Sequence, residues 1–322
     1  MNDRSAFPEL VVHADWSVRS AKRWRCEVTR MRSGGVTRWR VAPPRRVGPV
    51  DAWIDELANR VEREGRVALG LDLPIGLPGA YAQRCGVHDF RELLPRLGRG
   101  EWESFFDVAE RAEEVSLQRP FYPGKGAAGV RQSQLVEALG LSSPAELLRE
   151  CDRATTHRNA ACSLFWTVGA QQVGKAAIRG WREVVLPLLD RLGERVGLWP
   201  FDGEWNALLQ ARSLVIAETY PAEFYARLGF PRRGWSKRNR DDRRDRSRDL
   251  SDWIRGKHIK LSGDLRRFAD DGFAARSDGE DAFDGTIGAV GMAACLTGDL
   301  PVPEPSGQTT RRVEGWILGR EV

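Results

Sequence analysis

A chain of 322 residues, 41% hydrophobic and 30% charged, carries enough apolar surface to bury one large core or two modest ones. No apolar run approaches the ~18 residues that a membrane-spanning helix requires, and the opening MNDRSAFPEL lacks the basic-then-apolar order of a secretory signal. The five scattered cysteines (Cys26, Cys85, Cys151, Cys162 and Cys295) form no CxxC pair, so reduced thiols and a cytoplasmic location are expected.

Three short apolar or alternating runs come first: ELVVHADWS from Glu9, RWRCEVTRM from Arg23 and VTRWRVA from Val36. Turn signals separate them, notably Ser33-Gly34-Gly35, and the pattern predicts a three-stranded antiparallel meander. After Pro43, Pro44 and Pro49, the stretch 51–64 places Trp53, Ile54, Leu57 and Val61 on one helical face. RVALGLDLPIG then reads as a strand that ends on Asp72 and is stopped by Pro74. The order so far is β-β-β-α-β. From 79 to 210 the pattern is mostly helical and irregular, with a helix expected over 176–192. SLVIAETY, 213–220, is another buried strand, ending on Glu218, and 221–228 restarts a helix. DAFDGTIGAVGMAACL, 281–296, has small residues at close intervals, which suits a helix packed tightly on a sheet. PVPEPSG is an exposed connector to a last short run, VEGWILG. The expected organisation is an α/β core begun by 1–78, a large mostly helical insertion over 79–210, and the rest of the core over 211–322.

A greasy strand that finishes on a carboxylate needs a reason, because a buried ionised Asp without a partner is costly. Asp15, Asp72 and Glu218 each sit at the end of a separate strand, and ligands collect at the carboxyl ends of strands in sheets with helical crossovers. Asp281 and Asp284, three apart on a helix, face the same way. Acids brought together repel and raise one another's pKa. A hard divalent cation, Mg²⁺ or Mn²⁺, removes that repulsion by taking oxygen ligands. Asp15, Asp72, Asp281 and Asp284 are therefore the candidate metal ligands, and Glu218 joins them as a catalytic candidate. The idea requires that their oxygens converge and that no Arg or Lys fills the gap between them. Plainer roles exist for each: an Asx turn at Asp15 or Asp72, a cap or an Arg partner at the sheet edge for Glu218, a helix N-cap at Asp281.

The order β-β-β-α-β, with acids on the first and fourth strands and a late helix bearing Asp-x-x-Asp, resembles the ribonuclease H-like fold. More closely, VVHADWSV, GLDLPIGLP, AETYPAEFYARLG and EDAFDGTIGAV, in that order between residues 10 and 298, resemble the family labelled domain of unknown function 429. That family is described as predicted ribonuclease H-like nucleases. The resemblance implies a mixed sheet, three antiparallel strands then parallel ones, flanked by helices. It also implies that Asp15, Asp72 and Asp281 or Asp284 sit in the metal site of a nuclease. Glu218 lies on a matching segment, and Gly285 stands where related families often carry Ala.

The stretch 231–249, PRRGWSKRNRDDRRDRSRD, holds eight Arg, one Lys and four Asp, a local charge equal to the +5 of the whole chain. One basic stretch suggests a polyanionic partner, with Arg232, Arg233, Lys237, Arg238 and Arg240 as candidate contacts to DNA or RNA. The interleaved Asp residues offer a plainer alternative, a solvated helix laced with ion pairs. Trp235 and Trp253 flank the stretch, either to stack on bases or to anchor a loop. GAQQVGKA, 169–176, almost spells the phosphate loop GxxxxGK[ST], but Ala176 lacks the hydroxyl that would hold Mg²⁺. Lys175 stays a candidate phosphate contact, and an ATPase or phosphotransferase is the alternative activity. A non-catalytic nucleic-acid scaffold is the third reading. Cys151, His157 and Cys162 lack a fourth zinc ligand, His13 is expected in the core or on the sheet face, and no GxSxG elbow is present.

Overall fold

The computed structural model describes residues 7–126, 129–156, 158–169, 173–274 and 278–321. Leu10–Asp15 (β1) pairs antiparallel with Trp24–Ser33 (β2), which pairs antiparallel with Val36–Val41 (β3). Gly34 and Gly35 both take positive φ, as the two-residue turn between β2 and β3 requires. Arg45–Arg46 (β4) returns to β2, and the helix Val50–Glu64 leads into Val67–Leu71 (β5), parallel to β1. Val196–Leu198 (β6) and Leu214–Glu218 (β7) continue the sheet in parallel beyond β5, in the order β6-β7-β5-β1-β2-β3. Ile259–Leu261 (β8) adds a parallel edge beside β3.

The result is an α/β fold whose mixed sheet has antiparallel strands followed by parallel ones, with helices on both faces. The strands β4, β6 and β8 are too short, at two or three residues, to leave a period-two signal in the sequence. β6 also lies inside the stretch expected to be mostly helical, so 79–210 gives a strand back to the sheet. The helix expected over 176–192 begins at Val173, and its turn Trp181–Val185 is wound as a π-helix. Pro187 explains the irregularity. It has no N–H to offer the Glu183 carbonyl one turn earlier, so the ladder re-registers there.

Strand alternation divides the core in two. Leu10, Val12 and Ala14 of β1 share a face with Leu69 and Leu71 of β5 and Ile216 of β7, against the helix Val50–Glu64 and the insertion. Val11, Ala68, Val215 and Ala217 point the other way, onto the closing helix Gly279–Thr297. The small residues of that helix let it sit flush: a Cβ at Gly288 would overlap the His13 ring, and one at Gly291 would overlap Phe224. His13 is fully buried, donates from Nδ1 to the Gly285 carbonyl at 3.2 Å, and burial pushes its pKa down to about 3. It is a neutral core residue. None of the five cysteines is in a disulfide, and among the described residues no helix is long and apolar enough to cross a membrane.

Candidate functional site

β1 and β5 end side by side. Ala14 is in register with Leu71, and the Asp72 N–H donates to the Ala14 carbonyl at 3.0 Å, so Asp15 and Asp72 lie level at the strand ends. Alternation turns both side chains toward the closing helix, and their carboxyls are within hydrogen-bonding reach of one another. Asp284 comes down from that helix near enough for its charge to act on both, although the carboxylate oxygens of Asp15, Asp72 and Asp284 do not all lie within 4.8 Å of one another. Asp284 is 3% exposed; its Oδ1 accepts from the Tyr225 hydroxyl and its Oδ2 from the Lys237 ammonium. Asp281 sits one turn nearer the rim, with Oδ2 3.9 Å from the Lys22 ammonium, buried, and without a hydrogen-bond partner among the described residues.

The requirement that no Arg or Lys fill the gap is not met: Lys237 reaches into the group and bonds Asp284, so a metal on that oxygen has to displace it. The sequence reading treats 231–249 as one surface patch, whereas its first part is pulled inward by an aromatic cluster. Trp235 packs edge-on against Tyr225, Phe230 and Phe283 at centroid distances of 5.0, 5.7 and 6.2 Å, and its Nε1 donates to the Pro231 carbonyl. Trp235 is an anchor rather than a base platform, and it sets Lys237 above Asp284.

One ammonium does not balance these carboxylates. Burial raises Asp15 well above the usual carboxylate range, and the neighbouring charges of Asp72 and Asp284 raise it further. Burial, then the Asp284 charge, holds Asp72 at about 7. Burial likewise lifts Asp281 to about 6, against the pull of Lys22. Lys237 is pushed above the usual lysine range, chiefly by Asp284. Partial protonation of Asp72 is thus part of how the group is neutralised near pH 7.

Glu218 goes elsewhere. It is in register with Leu71, hence on the face of Ala14 and Leu71 and opposite to Asp15 and Asp72; the β7 residue level with Asp72 is Thr219. There the fully buried Arg149 grips both Glu218 oxygens at 2.6 and 2.7 Å and both Asp152 oxygens at 2.8 and 3.0 Å. The Ile75 N–H adds a bond to Glu218 at 2.7 Å. Glu218 has an arginine partner rather than a place in the aspartate group. Cys151, Asp152 and Glu218 are close enough together to ligate an ion, but the guanidinium already holds both carboxylates and a metal there has to evict it.

The remaining basic candidates separate. Arg240 is bonded to Asp271, and Arg244, Arg246 and Arg248 pair with Asp241, Asp249 and Asp245 along the helix Arg240–Trp253. That helix is the ion-pair-laced alternative. Arg232 and Arg233 are exposed with no side-chain partner among the described residues, and Arg238 is exposed, 3.8 Å from Glu280. Lys175 donates to the Gly124 carbonyl at 2.7 Å, away from the aspartates. Of the phosphate-loop look-alike, 170–172 lie outside the described residues, as does His157; Gly174 serves close packing on the Leu164 carbonyl. Tyr225 and Arg149 escaped the sequence reading. Tyr225 stands in AETYPAEFYARLG, where a polar-tipped aromatic one turn into the helix after β7 was the available signal; nothing in LLRECD marks Arg149.

Asp72 and Asp284 line a cavity of about 540 Å³, and so do Glu218 and Asp152; the size suits a nucleotide-sized group. Trp16, Leu73 and Pro74 give it an apolar side, Val173 and Ala176 of the insertion close it, and Lys22 stands at its edge. The donor set is entirely carboxylate oxygen, which suits a hard divalent cation, and the buried Oδ2 of Asp281, ion-paired with Lys22 at 3.9 Å but not hydrogen-bonded among the described residues, is the kind of atom such an ion satisfies. No family model, curated protein or solved structure matches the chain.

Proposed function

We propose that this pocket is the divalent-cation site of a ribonuclease H-like nuclease that hydrolyses phosphodiester bonds in nucleic acid. The observation that carries the reading is that Asp15, Asp72 and Asp284, from two adjacent strand ends and the closing helix, lie in one another's electrostatic field with one ammonium, Lys237, bonded to Asp284. The meander β1-β2-β3 extended in parallel by β5 and β7 supports the fold assignment, and so does the sequence resemblance to the domain of unknown function 429 family.

Asp15, Asp72 and Asp284 would hold Mg²⁺ or Mn²⁺, with Asp281 as a further oxygen donor at the rim. Such an ion supplies charge stabilisation at phosphoryl oxygens and a water acidic enough to attack phosphorus. The chain's own groups do the rest. Tyr225 fixes the Asp284 carboxylate by donating to Oδ1, leaving Oδ2 to face a cation. To hold the ion, Asp15 and Asp72 would give up the protons that their surroundings favour. Exposed Arg232, Arg233 and Arg238 border the loop that carries Lys237, and they meet backbone phosphates without reading sequence.

The test is cleavage of labelled single- and double-stranded DNA and RNA in Mg²⁺ or Mn²⁺, by the wild-type protein beside Asp15→Asn and Asp72→Asn. Cleavage confined to the wild type is the expected result. Cleavage that survives both substitutions overturns the mechanism.

A further inference from the structure

Lys237 joins two features that do not ordinarily go together. Its ammonium is bonded to a nearly buried carboxylate and lies in the field of two more, yet its side chain as a whole is 42% exposed. The stem therefore lies in solvent and only the head group dips into the pocket. The backbone beneath it is pinned. Arg243 donates to the Lys237 carbonyl at 2.6 Å, the Ser236 N–H donates to Asp242 at 2.8 Å, and Asn239 caps the helix Arg240–Trp253. Trp235 fixes the other side in its aromatic cluster. Any movement belongs to the flexible four-carbon side chain, whose ammonium is a compact point charge.

We propose that Lys237 is an exchangeable internal counter-ion: its ammonium holds the acid pocket until a divalent cation displaces it to the mouth of the cavity. The inference rests on the metal-site reading above and deepens it. A divalent ion on Asp284 Oδ2 and an ammonium bonded to the same atom repel strongly at that range, so the two compete for it. A doubly charged ion shared by several carboxylates is attracted more strongly than one ammonium bonded to a single oxygen. Once displaced, the ammonium stands beside the same opening as Lys22, where an anionic phosphate group meets it. One side chain thus keeps the cluster from carrying uncompensated charge when no ion is bound, and adds positive charge toward substrate when one is.

Two measurements test this, neither of them turnover. The first is Mn²⁺ affinity, read from the free-ion EPR signal at low ionic strength, for the wild type, Lys237→Met and Lys237→Arg. Lys237→Met keeps the length and removes the competitor, so it should bind Mn²⁺ at least about tenfold more tightly than the wild type; Lys237→Arg keeps the charge in a fork that grips carboxylates and should bind more weakly. Wild-type binding with equal or weaker binding by Lys237→Met overturns the exchange while leaving the metal site standing. Absence of Mn²⁺ binding in every form sinks the metal reading and the exchange with it. The second measurement uses only the wild type, so it does not depend on a variant folding. Reductive methylation followed by mass spectrometry should label Lys237 severalfold faster with saturating Mg²⁺ than without. Labelling that is unchanged or slowed by Mg²⁺ overturns the proposal.

Discussion

The sheet carries buried carboxylates on both faces at its parallel strand ends, and the two groups are balanced in different ways. On the insertion face, Glu218 and Asp152 share Arg149, and each carboxylate receives two charge-assisted bonds from a guanidinium that no water reaches. On the closing-helix face, Asp15, Asp72 and Asp284 share one ammonium that bonds only Asp284, on a stem open to solvent. The first group is satisfied and fixed. The second is neutralised in part by protons and has a removable partner. Both groups border the same cavity, so pairing sets them apart: acids gripped bidentately by a buried guanidinium act as a brace, whereas acids sharing one ammonium are equipped to take up a cation.

The sharpest way to break that contrast is to remove the brace. Arg149→Ala leaves two carboxylates buried and unpaired, and should cost about 3–5 kcal/mol of stability in urea unfolding. A loss below about 1 kcal/mol would mean that the insertion face is not held as described. Next in size is the ligand test on both faces. Asp284→Asn should weaken Mn²⁺ binding by roughly 100-fold, at or beyond the upper end for loss of an outer-shell partner. Glu218→Gln should leave Mn²⁺ affinity within about twofold, because Arg149 and the Ile75 N–H still hold that side chain on the other face.

A smaller effect follows from pH. Asp72, held at about 7 in the folded chain, returns to ~3.9 when unfolded, so between those values the native state binds more protons. Stability without divalent ions therefore falls as pH rises from about 4 to 8, the sign opposite to that of a salt-bridged carboxylate. At ~1.4 kcal/mol per pKa unit, discounted for the partial solvent access of the site, the decline assigned to Asp72 is about 1–2 kcal/mol. Asp72→Asn should remove it, and saturating Mn²⁺ should restore stability at pH 8. Thermal unfolding across that range checks both; a slope equal in the two proteins would place the titration elsewhere.

The strands that build the aspartate group were legible because their alternation is long and regular, and Asp15, Asp72 and Asp284 lie where that alternation and the spacing on the closing helix put them. Glu218 shows where the same logic needs one more step. Counting from the apolar run alone makes Glu218 the terminal acid of its strand, like Asp15 and Asp72. Register shifts it by one: the level of Asp72 falls on Thr219, and one residue of shift reverses the face. Parity along SLVIAET was available, but the pairing that fixes it was not. Lys237 and Arg149 were hidden for another reason. Both reach their carboxylates from segments without regular periodicity, and long-range ion pairs such as Arg149–Glu218 leave no local pattern in the chain.

The smallest expected effect concerns Lys175, and it separates the pocket from the phosphate-loop look-alike. If 169–176 cradled a nucleotide, its lysine would face the phosphates and its removal would abolish binding. Lys175 instead donates to the Gly124 carbonyl beside a small hollow formed with Gly169, and no bond joins it to the aspartates. Losing a partly exposed bond of this kind costs about 0.5–1.5 kcal/mol at most. Lys175→Ala should therefore lower stability slightly, leave Mn²⁺ affinity unchanged and bring no loss of ATP binding, as judged by calorimetry on both proteins. Saturable ATP binding by the wild type that disappears in Lys175→Ala would reverse the argument. It would move the chemistry to the hollow beside Gly124 and reduce the aspartate pocket to a second structural ion group, balanced by Lys237 as Glu218 is by Arg149.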